Sequence, residues 1–93
     1  MHVGAETFFL QITDGLTLKD KRQVVRSLLD RARCRFRVAA AEVDHLDSSR
    51  WATIAVATVS NDQSVASRVL EKVAQMVESE PRVLVLERTV EFF

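Results

Sequence analysis

The sequence predicts an α+β sandwich of order β-α-β-β-α-β, and three observations carry that prediction. Four stretches, at 2–12, 37–45, 50–60 and 82–92, alternate apolar and polar residues or concentrate β-branched and aromatic ones. Between them lie two stretches with apolar residues at helical spacing, one over 18–35 and one between 60 and 81. All of this fits in 93 residues with only two Gly and one Pro, which leaves little chain for loops.

Each element has its own signal. In 2–12, Gly4, Phe8, Leu10 and Ile12 fall on one face of a strand, and Val3, Ala5, Thr7 and Phe9 fall on the other. Thr13-Asp14-Gly15 is a turn cluster, and Thr17 with Asp20 approximates a capping box that opens the first helix. Leu18, Val25, Leu28, Leu29, Ala32 and Phe36 form that helix's apolar stripe. Residues 37–45 and 50–60 read as a hairpin around Leu46-Asp47-Ser48-Ser49. Ser60-Asn61-Asp62 supplies cap candidates for the second helix, with Val65, Val69, Val73, Met76 and Val77 as its stripe and Pro81 as its stop. The last strand alternates Leu84, Leu86, Val90 and Phe92.

This element order is that of the ferredoxin-like fold. Right-handed crossovers put both helices on one face of a four-stranded antiparallel sheet of order 4-1-3-2. The length suits a single domain spanning residues 1–93. No apolar run approaches about 18 residues, which argues against a membrane span. The start MHVGAETFFLQI lacks a basic segment followed by an apolar stretch, and Cys34 stands alone; together these predict a cytoplasmic protein.

Two surfaces are candidates for function. The sheet face without helices carries apolar residues on three strands: Val3, Ala5 and Phe9; Ala39, Ala41 and Val43; Ala55, Ala57 and Val59. A half-solvated sheet is expected to be polar there, so this patch predicts burial against another surface, a homodimer or larger oligomer first. The second surface is charged. Net charge is zero, yet residues 19–37 carry a local balance of +6. Lys19, Arg22, Arg26 and Arg33 lie within about 60° of one another around the helix, forming one row beside the apolar stripe. A row of guanidinium groups on a rigid helix can track a phosphate backbone and release counterions. The plain alternative is a solvated flank whose long stems cover the core edge. No aromatic pair for base stacking is evident on the sheet from the sequence.

Three stretches also carry a resemblance. They are Leu18-Lys19-Asp20-Lys21-Arg22, Ala41-Glu42-Val43-Asp44-His45 and Val59-Ser60-Asn61-Asp62. With the Val3-Gly4 start, their order and spacing resemble the YlxP-like bacterial family of unknown function, over essentially the whole chain. The resemblance implies a ferredoxin-like fold and supplies no catalytic residues. Genes of that family often neighbour those for translation initiation and ribosome maturation factors, which implies an association with RNA or the ribosome. Glu6 departs from the pattern by standing at a first-strand position that is usually apolar, which predicts looser packing there.

The remaining candidates have plainer readings. Glu6 and Glu42 are both expected on the helix-facing side, where a carboxylate pair could do acid–base work or each could pair with an Arg of the basic helix. Asp44-His45-Leu46-Asp47 reads as a polar hairpin end rather than a metal site. Cys34 is expected to be half-buried near a helix end. The sequence therefore predicts a non-enzymatic binding module without cofactor, metal, membrane or small-molecule ligand. Its partner is expected to be RNA or a ribosomal particle; the alternative is a protein-assembly domain using the open sheet face.

Overall fold

The computed structural model describes residues 1–15 and 17–93. Its elements follow in the predicted order: β1 (His2–Ile12), α1 (Leu18–Phe36), β2 (Ala39–Asp44), β3 (Trp51–Ser60), α2 (Gln63–Glu78) and β4 (Val83–Phe92). All strand pairs are antiparallel and the sheet order is β2-β3-β1-β4, the ferredoxin-like order counted from the other edge.

The period of two in β1 decides what the core contains. Gly4, Glu6, Phe8, Leu10 and Ile12 are buried, while the residues between them are half-buried. On the central neighbour β3, Ala52, Ile54 and Val56 are buried likewise. These side chains pack against Val24, Val25, Leu28, Leu29 and Ala32 of α1 and Leu70, Val73, Ala74, Met76 and Val77 of α2. Each large one contributes about 1.5–3 kcal/mol by leaving water. Residue 4 has to be small, because a Cβ there would lie 2.9 Å from a Phe92 ring carbon and 3.0 Å from a Leu70 methyl.

Helix α1 starts as its sequence predicts. The Thr17 hydroxyl accepts from the Asp20 amide at 3.1 Å, and the Thr17 amide donates to the Asp20 carboxylate at 3.3 Å. The helix runs one residue further than the pattern indicates, and Arg37 closes it in the left-handed conformation (φ 55°). Strand β2 accordingly begins at Ala39 rather than residue 37. Asp62 is the residue of the Ser60-Asn61-Asp62 group that caps α2, its carboxylate accepting from the Ser64 amide at 2.9 Å. Those Ser64 bonds hold its pKa below the ordinary carboxylate value. The buried stripe of α2 is Ala66, Leu70, Val73, Ala74, Met76 and Val77; Val65 is exposed, because the stripe is rotated by about one residue.

Two β-bulges break the simple alternation. The register of β4 against β1 shifts between Phe9 and Leu10, so Phe9 lies opposite Glu87 while Leu10 lies opposite Val85. Leu84 therefore shares the open face with Gln11, whereas Val90 and Phe92 share the helix-covered face with Glu6 and Gly4. The second bulge is at Val43, between Glu42 opposite Ile54 and Asp44 opposite Thr53.

Candidate nucleic-acid interface

The basic helix lies over β2, the edge strand, and a buried lysine fixes it there. Lys21 is fully buried, and its ammonium sits 2.6 Å from the Glu42 carboxylate. The same group donates to the carbonyl oxygens of His45 at 2.8 Å and Leu46 at 3.4 Å. One side chain of α1 thus holds β2 and the turn that follows it. A lone ammonium at this depth would be prohibitively costly; a carboxylate and two carbonyls around it make the placement tolerable. Lys21 therefore adds nothing to the surface charge that the sequence count suggests.

With α1 seated in this way, Arg22, Arg26 and Arg33 come together. With Val25, Leu29 and Glu42 they line a groove of about 290 Å³ between the helix and the β2 edge. Lys19, the fourth member of the predicted row, is exposed but lies outside that lining. Arg33 is partly engaged: it donates to the Ala40 carbonyl and lies 3.4 Å from Asp30. Among the described residues no ion pair involves Arg22 or Arg26. Both side chains are exposed, and each guanidinium offers five donors.

Three arginines elsewhere are occupied, whereas Arg35, Arg37, Arg50 and Arg68 have no ion pair among the described residues. Arg31 and Arg82 both hold Glu80, a carboxylate at the end of α2 with only 6% exposure. The Arg82 hydrogen bond is the main reason that the Glu80 pKa falls to about 2. Arg88 of β4 binds Glu6 at 2.7 Å, Glu78 at 2.8 Å and Glu71 at 3.2 Å. Its own pKa is raised, with the Glu6 hydrogen bond as the largest cause.

The two carboxylates singled out from the sequence consequently have separate fates. Glu6 is 1% exposed and belongs to Arg88, a β4 residue that the sequence reading did not connect with it. The core does not loosen around it, since Phe8 and Leu10 on the same strand are fully buried. Glu42 belongs to Lys21, and β3 separates it from Glu6, so the pair forms no shared site. Asp44 and His45 close the hairpin end: the carboxylate accepts from the His45 amide at 2.8 Å, and the ring nitrogen Nδ1 lies 2.9 Å from the Thr53 hydroxyl. Cys34 is exposed rather than half-buried, because its position on α1 faces away from the sheet.

The open face carries the apolar residues expected of it. Val3, Ala5, Phe9, Ala55 and Ala57 are half-buried, and Ala39, Ala41 and Val59 are exposed. By register these eight lie on one face; Val43 is exposed at its bulge. The structure also brings together an aromatic group that sequence spacing concealed. Phe9 and Trp51 stack with ring centroids 5.6 Å apart at 26°, and the His45 ring lies 5.2 Å from Phe9. Phe9 is far from His45 and Trp51 in the sequence; antiparallel pairing of β1 with β3 and the tight turn at His45 (φ 60°) make the three neighbours.

These features define a ferredoxin-like α+β sandwich with a basic groove at one sheet edge. The chain belongs to the family described as "Protein of unknown function (DUF503)", whose model matches residues 3–90. It is 29% identical over 79 residues to the uncharacterized protein YlxP of Bacillus subtilis (strain 168), covering 85% of this chain and 83% of that one. Among solved structures, the de novo designed protein Foldit4 is similar in fold, with a TM-score of 0.58 at 11% identity over 100% of this chain and 97% of that one. Neither the family nor these relatives carries an assigned activity in its description. No helix among the described residues is long and apolar enough to cross a membrane.

Proposed function

We propose that this protein is a non-enzymatic binding module that takes the phosphate backbone of RNA, free or within a ribosomal particle, in the groove between α1 and β2. The observation that carries the reading is the contrast in arginine use. Arg31, Arg82 and Arg88 are neutralised by carboxylates, whereas Arg22 and Arg26 line a groove whose carboxylate, Glu42, is held by Lys21, and they form no ion pair among the described residues. Arg33 at the same groove offers its remaining donors, and Lys19 extends the row toward the helix start. Phosphate oxygens suit the planar guanidinium fork, and helix α1 places the arginines in one row. A cytoplasmic location goes with such a partner.

Binding driven by counterion release has a measurable signature. Affinity for RNA should fall linearly on a log–log plot against salt, with a slope near −0.9 per duplex phosphate contacted or about −0.7 for a single strand. Arg22→Glu with Arg26→Glu should weaken binding about equally for unrelated sequences and flatten the slope by roughly 1.5–2. Absence of binding to ribosomal RNA at low salt would overturn the proposal.

A second reading rests on the small apolar residues of the open face. Val3, Ala5, Ala39, Ala41, Ala55, Ala57 and Val59 form a neutral, flat surface that a second copy of the chain could cover. Sedimentation equilibrium at micromolar concentration tests it, and a single 10.5 kDa species would remove it.

A further inference from the structure

The open sheet face changes character along its strands. Register places Val3 beside Val59, and Ala57 between Ala5 and Ala39, toward one end. Toward the other end it places Phe9 beside Thr53 and Gln11 beside Trp51, with the His45 ring against Phe9. Phe9 and Trp51 belong to β1 and β3, the two central strands, on the side that the helices do not cover. Both are half-buried, so each ring is braced by the sheet while part of its surface meets solvent.

We propose that Phe9, Trp51 and His45 form a stacking platform for an unpaired base of single-stranded RNA; this rests on the reading of the α1–β2 groove as a backbone site and specifies its substrate. Unpaired bases are recognised by stacking on aromatic rings held on a rigid surface. A four-stranded sheet with such rings on its uncovered face is one of the recurring solutions. The link between platform and groove is physical. Lys21 of α1 donates to the His45 carbonyl at 2.8 Å, and the ring of that same residue packs 5.2 Å from Phe9. The basic row starting at Arg22 and the aromatic end of the sheet thus meet at one hairpin corner. A strand lying in the groove can turn around the end of β2 and set a base on Phe9. Glu87 and Glu91 lie opposite Phe9 and Ala5 on β4 and repel a backbone approaching from that edge, while Asp44 and Asp47 are the carboxylates a strand meets at the hairpin corner.

Trp51 is the only tryptophan and there is no tyrosine, so intrinsic emission reports on this site alone. The test titrates the protein with labelled ten-nucleotide single strands and with duplex RNA of equal length, reading anisotropy and Trp51 emission together. Single strands should quench Trp51, whereas the duplex should bind by the groove without quenching. Phe9→Leu, which keeps an apolar side chain, should weaken single-strand binding about 5- to 100-fold and leave duplex binding unchanged. Trp51→Leu should do the same by anisotropy if Phe9→Leu proves unstable. Single-strand binding without quenching, and unaffected by either variant, would overturn the platform and leave the groove standing. No binding of any RNA by anisotropy would overturn both. Emission that changes with protein concentration alone, together with a sedimenting dimer, would show that a second copy covers the rings and would also overturn it.

Discussion

The two edges of the sheet use the same residue types to opposite ends. At the β4 edge, Arg88 gathers Glu6, Glu71 and Glu78, and nearby Arg82 shares Glu80 with Arg31. At the β2 edge one buried pair, Lys21 with Glu42, does the joining, and Arg22 and Arg26 beside it form no ion pair among the described residues. The first edge spends its cations on cohesion. The second isolates one cation for cohesion and leaves others facing water. A neutral net charge therefore conceals a molecule with one self-satisfied flank and one unsatisfied flank.

That contrast can be broken from either side. The largest effect is expected from Lys21→Met, which strands Glu42 and removes the tie to the hairpin carbonyls. Denaturant unfolding should show a loss of about 3–5 kcal/mol. Next is acid titration of Glu80. Its folded pKa of about 2 lies below the ordinary 4.5, so its contribution is present above pH 4.5 and disappears as pH falls toward 2. Urea midpoints across that window should show a loss of about 2–3 kcal/mol assignable to this group, absent in Glu80→Gln.

Smaller effects sharpen the same comparison. Glu71 and Glu78 are more than two-fifths exposed on the rim of the Arg88 cluster, and Glu71→Gln or Glu78→Gln should each cost under about 0.5 kcal/mol in thermal unfolding. Smallest of all on stability is Arg22→Glu with Arg26→Glu, expected within about 0.5 kcal/mol of wild type, although the same pair should abolish most RNA binding. Substantial destabilisation by that double variant would show the two arginines to be structural and would remove the contrast.

Much of the architecture was legible because it depends on local periodicity. Period two in β1 and period 3.6 in α1 need no distant information, and the Thr17–Asp20 cap lies within four residues. The site was legible only in part. The row Arg22, Arg26 and Arg33 could be read because all three sit on one helix, whose geometry is known in advance. Helical geometry already sets Lys21 apart from that row, on the side of the apolar stripe, but its partners, Glu42 and the hairpin carbonyls, are fixed only by where β2 and the turn come to rest. Spacing likewise hid the pairing of Phe9 with Trp51, which antiparallel register creates, and the exchange of faces in β4, which a bulge at Leu86 creates.

By itself the sequence determined the α+β sandwich, its strand order, the cap of the first helix and the existence of a basic helix and an apolar open face. These follow from hydrophobic periodicity and capping chemistry, interactions between residues a few positions apart. The tertiary structure alone decided which cations are spent and which stay free, and which rings meet at the corner where groove and sheet join. Ion pairs and ring contacts act over a few ångströms between residues as distant in sequence as Glu6 and Arg88. Only the folded register sets those distances.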